Sequence, residues 1–170
     1  MNIAITGKPG VGKTTLCKKI WEKLKPNLSI SGFITLEIRV KNRRVGFEVF
    51  DLRKEVKTKL ASVGKCKTMV GKYCVHITEF EEYLKNSSLR DACDLIIIDE
   101  IGPMELKSYF FVELIEELLN SETPKLFTIH AKSKHPLLEK IRRTFKIYTI
   151  DERNRNQVTE KVLELLKENL

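Results

Sequence analysis

The segment Gly-Lys-Pro-Gly-Val-Gly-Lys-Thr at residues 7–14 leaves this chain few folds to adopt. It fits the phosphate-loop pattern G-x-x-x-x-G-K-[ST], which is informative when a buried strand precedes it and a helix follows. Residues 2–6 are a short, mainly apolar run typical of a buried strand. Residues 13–25 carry apolar side chains at helical spacing, and Pro26 ends the pattern. The context therefore predicts a strand–loop–helix unit at the start of an α/β fold.

The chemistry of this loop follows from its residue types. Glycines let the backbone wrap closely around a phosphate, so that successive N–H groups and the N-terminus of the next helix face its oxygens. Lys13 would reach the β- and γ-phosphates, and the Thr14 hydroxyl would bind Mg²⁺. A chance glycine turn before an amphipathic helix is disfavoured because motif and context agree. The predicted nucleotide-binding residues are Gly7, Lys8, Pro9, Gly10, Val11, Gly12, Lys13, Thr14 and Thr15.

Strand and helix patterns alternate along the rest of the chain. Strands are predicted at 30–38, 95–98, 125–130 and 145–150, and helices at 78–90, 107–120, 137–143 and around 158–166. Such alternation is typical of an open, mostly parallel α/β sheet flanked by helices. The sequence has no internal repeat and no low-complexity linker, so residues 1–170 are predicted to form a single domain.

Two segments depart from this alternation. Alternating apolar residues before and after residues 41–44 indicate an added β-hairpin with a basic, solvated tip. Residues 51–71 have a weak pattern, in which lysines are separated by small residues. We predict that this second segment is irregular.

Composition excludes several classes of protein. A chain of 170 residues, 42% of them hydrophobic, can form a core without metals or disulfides, and its apolar runs are too short to cross a bilayer. The N-terminal residues lack a basic region followed by an apolar one, so we expect a cytoplasmic protein with no membrane association. Four cysteines without zinc spacing or CxxC pairing are predicted to be buried or idle thiols: Cys17, Cys66, Cys74 and Cys93.

The net charge of +8 is unevenly distributed. Residues 1–75 hold 17 Lys and Arg against 5 Asp and Glu, whereas residues 76–170 hold 14 against 18. A basic half attracts polyanions, and both nucleoside triphosphates and nucleic acids qualify. Charged residues make up 32% of the chain and Gln occurs once, a combination that favours a thermophilic source.

A second chemical signal follows the apolar run at residues 95–98, which is typical of a central parallel strand buried on both faces. Asp99, at the carboxyl end of such a strand beside the strand of the phosphate loop, would supply the second anchor for Mg²⁺. Glu100 would then polarise a water in line with the γ-phosphate. The alternative is that the two acids cap the next helix. The predicted metal ligands are Thr14 and Asp99, and the predicted catalytic residues include Lys13 and Glu100.

Taken in order along the chain, these motifs resemble those of the thermophilic nucleoside-triphosphatase family. The resemblance covers nearly the whole chain and is carried by Thr6–Thr15, Gly71–Tyr73 with Val75, Ile98–Leu106, His135–Leu137 and Asn154-Arg155. It is most specific in the Walker B segment, Ile98, Asp99, Glu100, Ile101, Gly102, Pro103, Met104 and Glu105. The resemblance implies a Mg²⁺-dependent nucleoside-triphosphatase of broad nucleotide tolerance on a RecA-like core, with a glutamate beside the metal-binding aspartate.

Two positions depart from the family's pattern. Pro103 stands where many relatives carry a basic residue. Lys72 replaces a common arginine, which keeps the charge but loses bidentate phosphate geometry.

Hydrolysis also needs a cation for the charge that develops between the β- and γ-phosphates. Arg155 is our predicted catalytic cation because Asn154-Arg155 resembles the family's C-terminal Asn-Arg. Helix capping by Asn154 beside a solvated Arg155 is an equally open alternative. Further candidates that are more typical of a solvated face or strand end are Arg142, Arg143, Lys132 and His130.

Three functions are compatible with these motifs and this charge distribution. The first is hydrolysis of ATP, GTP and other nucleoside triphosphates. The second is a small-molecule or nucleotide kinase, which shares the loop and the fold class, but no arginine-rich lid is visible and Glu100 suits water activation better. The third is a nucleic-acid-dependent ATPase. A nucleic-acid partner is possible but not favoured, because the basic residues are dispersed and aromatic residues are few.

Overall fold

Nine strands and five helices make up the fold in a computed structural model that describes all 170 residues. The strands are β1 (Asn2–Thr6), β2 (Ile30–Val40), β3 (Arg43–Asp51), β4 (Lys57–Val63), β5 (Met69–Val70), β6 (Tyr73–Val75), β7 (Leu95–Ile101), β8 (Lys125–Ile129) and β9 (Lys146–Thr149). The helices are α1 (Lys13–Leu24), α2 (Ile77–Asn86), α3 (Tyr109–Leu119), α4 (Pro136–Thr144) and α5 (Arg155–Asn169), with a short 3₁₀ helix (Glu105–Lys107) before α3. All strands belong to one sheet, in the order β5-β6-β4-β3-β2-β7-β8-β1-β9.

The sheet has two parts with different pairing. Strands β2, β7, β8, β1 and β9 are parallel neighbours, and we call them the parallel half. Strands β3, β4, β6 and β5 continue the sheet beyond β2 by antiparallel pairing, and we call them the antiparallel extension. The predicted α/β class with a RecA-like core is confirmed, and β8 separates β1 from β7. The predicted hairpin, β2–β3, is the first part of a larger antiparallel addition.

Helices cover both faces of the parallel half. Helices α1 and α5 form one layer, which includes Ile20 and Leu166, whereas α2, α3 and α4 form the other, which includes Phe111. On β7, Ile97 packs in the first layer and Ile98 in the second. Because β7 is buried on both faces, its sequence is a continuous apolar run rather than an alternating one.

The prediction that residues 51–71 are irregular is wrong. Strand β4 lies in this segment and pairs with β3, with Phe47 opposite Ala61 and Phe50 opposite Lys57. Its lysines are exposed, while Leu60 and Ala61 are fully buried. The strand is specified by its backbone partner and two buried residues, so the side-chain pattern indicates it poorly.

The prediction of idle thiols is wrong for two of the four cysteines. Cys66 and Cys74 form a disulfide, with their Cα atoms 5.4 Å apart. Antiparallel pairing of β5 with β6 brings the loop before β5 back beside Cys74, a proximity that the spacing of the two residues does not indicate. Cys17 is buried and Cys93 half-buried, both as free thiols, as predicted.

Helix and turn boundaries differ in detail from the predicted ones. The hairpin turn is Lys41–Asn42, where φ is 50° and 64°, as in a type I′ turn. Helix α2 ends at Asn86, before its predicted end, and α3 begins after Ser108, whose hydroxyl accepts the N–H of Phe111 at 3.0 Å. No helix combines the length and the apolarity needed to span a membrane.

Candidate active site

The phosphate loop connects β1 to α1 at the carboxyl edge of the parallel half. Gly12 is the N-cap of α1, and its φ of 110° is a left-handed conformation that favours glycine. No side chain caps this end of the helix, so the N–H groups of its first turn are available to an anion. Lys8, Pro9 and Gly10 are exposed at the tip of the loop. The local geometry is that of a phosphate cradle.

Lys13 is nearly buried, and its ammonium group lies inside the loop. It donates hydrogen bonds to the carbonyl oxygens of Gly7 at 2.7 Å and Lys8 at 3.3 Å. Its Nζ also lies 3.8 Å from Oε2 of Glu100. The two predicted catalytic groups of the loop and of β7 are therefore neighbours.

Asp99 is buried and is the centre of a polar cluster. Its Oδ2 accepts the hydroxyl of Thr14 at 2.7 Å and the N–H of Thr35 at 3.2 Å, and its Oδ1 accepts the hydroxyl of Thr128 at 2.7 Å. The Thr35 hydroxyl donates to the main-chain carbonyl of Asp99 at 2.7 Å. Burial raises the pKa of Asp99, and these hydrogen bonds with the nearby Lys13 charge oppose that rise. The carboxylate is held firmly and points at α1.

The sequence predicts that the strand of Asp99 lies directly beside β1. In the structure β8 lies between β7 and β1, so Asp99 reaches the loop from one strand further away. The register of β7 against β8 shifts between Ile98 and Ile101, so that β7 has one more residue there than β8. Bulges of this kind are common next to active sites because they redirect side chains. Thr128, at the same level of β8, bridges the gap by its hydrogen bond to Asp99.

Glu100 follows Asp99 through a cis peptide bond, and 29% of its side chain is exposed. A Cβ on Gly102 would lie 2.6 Å from Oε1 of Glu100, so the glycine leaves room for this carboxylate. Burial raises the pKa of Glu100, the nearby Lys13 lowers it, and Asp99 raises it. Glu100 therefore combines access to solvent with a tendency to accept a proton, as a general base requires.

The rest of the Walker B segment supports these two acids. Ile98 and Ile101 lie in the core, and Pro103 and Met104 are half-buried. Glu105 is buried and accepts the N–H of Gly102 at 3.1 Å. Burial, reinforced by the charge of Glu100, raises the pKa of Glu105 to about 8.

Arg155 lies at the other side of the loop. Its Nη1 donates to the carbonyl of Val11 at 3.3 Å, and its side chain covers Gly12. The Asn154 side chain does not cap α5, because it bonds to the backbone of Asp151 and Thr149 instead. A groove beside Arg155 is lined by Gly12, Thr15, Leu16, Lys19, Asn156 and Thr159.

His130 and Arg142 belong to a cluster of hydrogen bonds at the end of β8. Arg142 donates to the carbonyls of His130 and Ser133, both at 2.8 Å, so the interpretation of Arg142 as a solvated residue is wrong. The Nδ1 of His130 accepts the N–H groups of Lys132 at 3.3 Å and Ser133 at 3.0 Å. Burial and the charge of Lys13 lower the pKa of this imidazole. In the neutral ring its proton is therefore on Nε2, which is free to donate.

Lys132 and Arg143 are exposed, in agreement with their interpretation as solvated residues. Sequence reasoning missed Thr35 and Thr128 altogether. Thr128 carried a usable signal, because it is a polar residue near the carboxyl end of an apolar strand that runs parallel to the strand of Asp99. Thr35 carried none, since it lies within the long strand β2 and its role depends on how β2 pairs with β7.

The donor set at the loop fits Mg²⁺. Thr14 and Asp99 offer a hydroxyl and a carboxylate within 2.7 Å of each other, and oxygen atoms are the ligands that Mg²⁺ prefers. The chain has no cluster of three or more His, Cys, Asp or Glu that could hold a metal ion. A nucleotide-bound Mg²⁺ needs only one or two protein ligands, because water and phosphate oxygens supply the others.

Comparisons with known proteins identify the family of this chain. A model of a protein family described as NTPase matches residues 2–163. The chain belongs to this NTPase family. It is 52% identical to the nucleoside-triphosphatase THEP1 of Archaeoglobus fulgidus, over 98% of this chain and 99% of that protein.

Solved structures extend the NTPase comparison. The crystal structure of THEP1 from the hyperthermophile Aquifex aeolicus has a TM-score of 0.83 and 36% identity, and the match covers 98% of this chain and 99% of that one. The solution structure of a human cancer-related nucleoside triphosphatase has a TM-score of 0.84 and 34% identity, over 99% and 98% of the two chains. The enzyme class predicted from the sequence, a nucleoside-triphosphatase, is thereby confirmed.

Proposed function

We propose that this NTPase hydrolyses nucleoside triphosphates to diphosphate and phosphate, with Mg²⁺ as cofactor and with little selectivity for the base. The observation that carries the proposal is the convergence of two pairs at the phosphate loop. The Thr14 hydroxyl oxygen lies 2.7 Å from Oδ2 of Asp99, and Nζ of Lys13 lies 3.8 Å from Oε2 of Glu100. The oxygen atoms of Thr14 and Asp99 could bind a metal ion, while Lys13 and Glu100 could act on the γ-phosphate and the attacking water.

Binding of the triphosphate is assigned to the loop and the start of α1. Its phosphate oxygens would accept the free N–H groups of the first turn, which no side chain occupies. Lys13 would exchange the carbonyls of Gly7 and Lys8 for the β- and γ-phosphates, a charge-assisted contact that is stronger than the bonds it leaves.

Thr14 and Asp99 are the residues that would hold Mg²⁺. The ion would neutralise charge on the β- and γ-phosphates during transfer. The hydrogen bonds from Thr35 and Thr128 leave the Asp99 carboxylate little freedom to turn, so this ligand is pre-organised.

Glu100 would orient and deprotonate the attacking water. The water oxygen then forms its bond to the γ-phosphorus while the bond to the β–γ bridging oxygen breaks, and Glu100 takes up the proton. The Nε2–H of His130 is a candidate donor to a γ-phosphate oxygen, since its Nδ1 is already occupied by two backbone N–H groups. Arg155 would contact the phosphate chain from the side of Val11.

Broad nucleotide tolerance is supported by the groove beside Arg155. Its lining is mainly polar and charged, with Leu16 as the one hydrophobic residue. The groove therefore offers no aromatic platform and no rigid apolar slot that would reject one base.

The decisive experiment measures phosphate release from ATP, GTP, CTP and UTP, each over a range of Mg²⁺ concentrations and with and without a panel of phosphate acceptors. We expect release in water alone, similar kcat/KM for the four nucleotides, and no release when Mg²⁺ is chelated. Turnover that requires an acceptor would support a kinase. A preference of more than about a hundredfold for one base would contradict broad tolerance.

A further inference from the structure

Nearly all of the net charge lies in the segment from β2 to β6. Residues 30–76 hold 11 Lys and Arg against 4 Asp and Glu, whereas the remaining residues hold 20 against 19. The segment therefore carries a net charge of +7 out of +8. The cations assigned to hydrolysis, Lys13 and Arg155, are outside it, so the proposed function does not account for this charge.

Several of these cations form no ion pair, and four of them lie along one edge of the antiparallel extension. Lys41 is in the β2–β3 turn, Arg43 begins β3, Lys65 follows β4, and Lys72 is in the β5–β6 turn. All four are exposed, and none forms an ion pair. We call these four residues the basic edge.

The topology explains why they share an edge. Strand β2 runs parallel to β7, β3 runs back, and β4 again runs in the direction of β2. The β2–β3 turn and the end of β4 therefore project at the same side of the sheet as the carboxyl ends of the parallel strands. Gly64 donates its N–H to the carbonyl of Lys72 at 3.3 Å, which places the β5–β6 turn beside the end of β4.

Other cations of the hairpin are partly neutralised. Arg39 and Arg44 both pair with Glu37, at 2.8 Å and 3.3 Å. The basic edge has no comparable carboxylate, and its residues repel one another. A bound polyanion would relieve that repulsion.

The dimensions of the edge favour a long polyanion over a small one. Four strands, β2, β3, β4 and β6, lie side by side, and a spacing of about 4.8 Å between strands makes the edge about 14 Å wide. A triphosphate held at the phosphate loop is too short to follow it. A nucleic-acid strand presents phosphates repeatedly over such a distance, at about 3.4 Å of axis per charge in each strand of a duplex.

We propose that the basic edge binds the phosphate backbone of a nucleic acid. Stable contact with a membrane surface is favoured by large apolar side chains among the cations, and only Val40 and Val63 are exposed here. Tyr73, the aromatic residue next to Lys72, is buried and unavailable for stacking on a base. Binding is therefore electrostatic, independent of sequence and strongly dependent on salt.

The test measures binding of a fluorescent oligo(U) of about 20 nucleotides, and of a DNA duplex of similar length, by anisotropy between ~50 and ~200 mM salt. The variant is the triple charge reversal Lys41→Glu, Arg43→Glu and Lys65→Glu, which leaves out Lys72 because it belongs to a family motif. We expect at least a tenfold loss of affinity, and a log–log salt slope for oligo(U) that is reduced by about 2, since each lost phosphate contact contributes about 0.7. Phosphate release from ATP should stay at the parent rate, which separates this inference from the proposed function.

The matched control reverses three exposed, unpaired lysines on the helices, Lys18→Glu, Lys161→Glu and Lys167→Glu, with the same change in net charge. It should lower affinity by less than about threefold, because only general attraction is lost. Equal losses in both triple variants would overturn the proposal. So would a parent protein that binds neither probe at ~50 mM salt, or that binds anionic lipid vesicles or an acidic protein but not the probes. If the reversed edge variant is unfolded, the corresponding triple glutamine variant provides the same comparison.

Discussion

In the parallel half, Asp99 and the hydroxyl groups bonded to it form a small polar cluster at the predicted site, whereas in the antiparallel extension the charged side chains are many, exposed and largely cationic. Asp99 and Thr128 are at most 1% exposed. Arg43, Lys65 and Lys72, in contrast, are exposed and unpaired. Yet both regions belong to one continuous sheet.

The difference follows from strand direction. Parallel strands all end at the same edge, so β1, β7 and β8 bring the loop, Asp99 and Thr128 to one place, where Asp99 and Thr128 are buried. Consecutive antiparallel strands run in opposite directions and are joined by short turns. The carboxyl ends of these strands therefore do not meet at one edge, and the extension exposes turns instead of a buried polar cluster. The extension can therefore carry charge without disturbing the site, and the two regions meet at Thr35, whose N–H and hydroxyl both bond to Asp99.

The substitution Glu100→Gln should have the largest effect in the parallel half. It keeps the shape of the side chain but removes the base, so turnover should fall by about 10²–10⁴-fold, while nucleotide affinity stays the same or rises because a negative charge near the γ-phosphate is lost. Phosphate release and binding of a labelled nucleotide, measured on one preparation, check this. Unchanged turnover would remove Glu100 from catalysis.

Next in size is Lys13→Ala, which removes the cation that the loop directs at the β- and γ-phosphates. We expect a loss of about 10²–10³-fold in kcat/KM with little change in the melting temperature. Lys18→Ala, on the exposed face of the same helix, is the control and should behave like the parent. Near-parent hydrolysis by Lys13→Ala would refute the phosphate-loop assignment.

In the extension, removal of the disulfide should change stability but not turnover. The double variant Cys66→Ser, Cys74→Ser loses the closure of a short loop, which should lower the free energy of unfolding by about 2–3 kcal/mol. Calorimetry measures this, and Cys93→Ser, at a half-buried free thiol, is the matched control. A parallel loss of turnover would show that the two regions are more strongly coupled than the structure indicates.

The smallest effects should come from the two threonines that hold Asp99. Thr128→Val removes a donor within the parallel half and should raise the Mg²⁺ concentration needed for half-maximal activity by about 10–100-fold. Thr35→Val removes the bond from β2 to the Asp99 carbonyl and keeps the N–H bond to its carboxylate, so its effect should be smaller. Calorimetric titration of Mg²⁺ into the nucleotide-loaded protein gives an independent readout. Thr128→Ser, which retains the hydroxyl, should restore Mg²⁺ affinity.

The sequence by itself determined the phosphate loop, the strand near whose carboxyl end Asp99 and Glu100 lie, and the α/β class. Each of these depends on contiguous residues: glycines with a Lys-Thr pair between a strand and a helix, or an apolar run followed by two acids. Local backbone geometry and burial explain them without knowledge of distant partners.

Only the tertiary structure decided which distant residues meet. The insertion of β8 between β1 and β7 made Thr128 a partner of Asp99, and the pairing of β2 with β7 did the same for Thr35. Pairing of β5 with β6 joined Cys66 to Cys74. These contacts depend on strand order and register, which the packing of the whole sheet determines and which no local spacing of residues encodes.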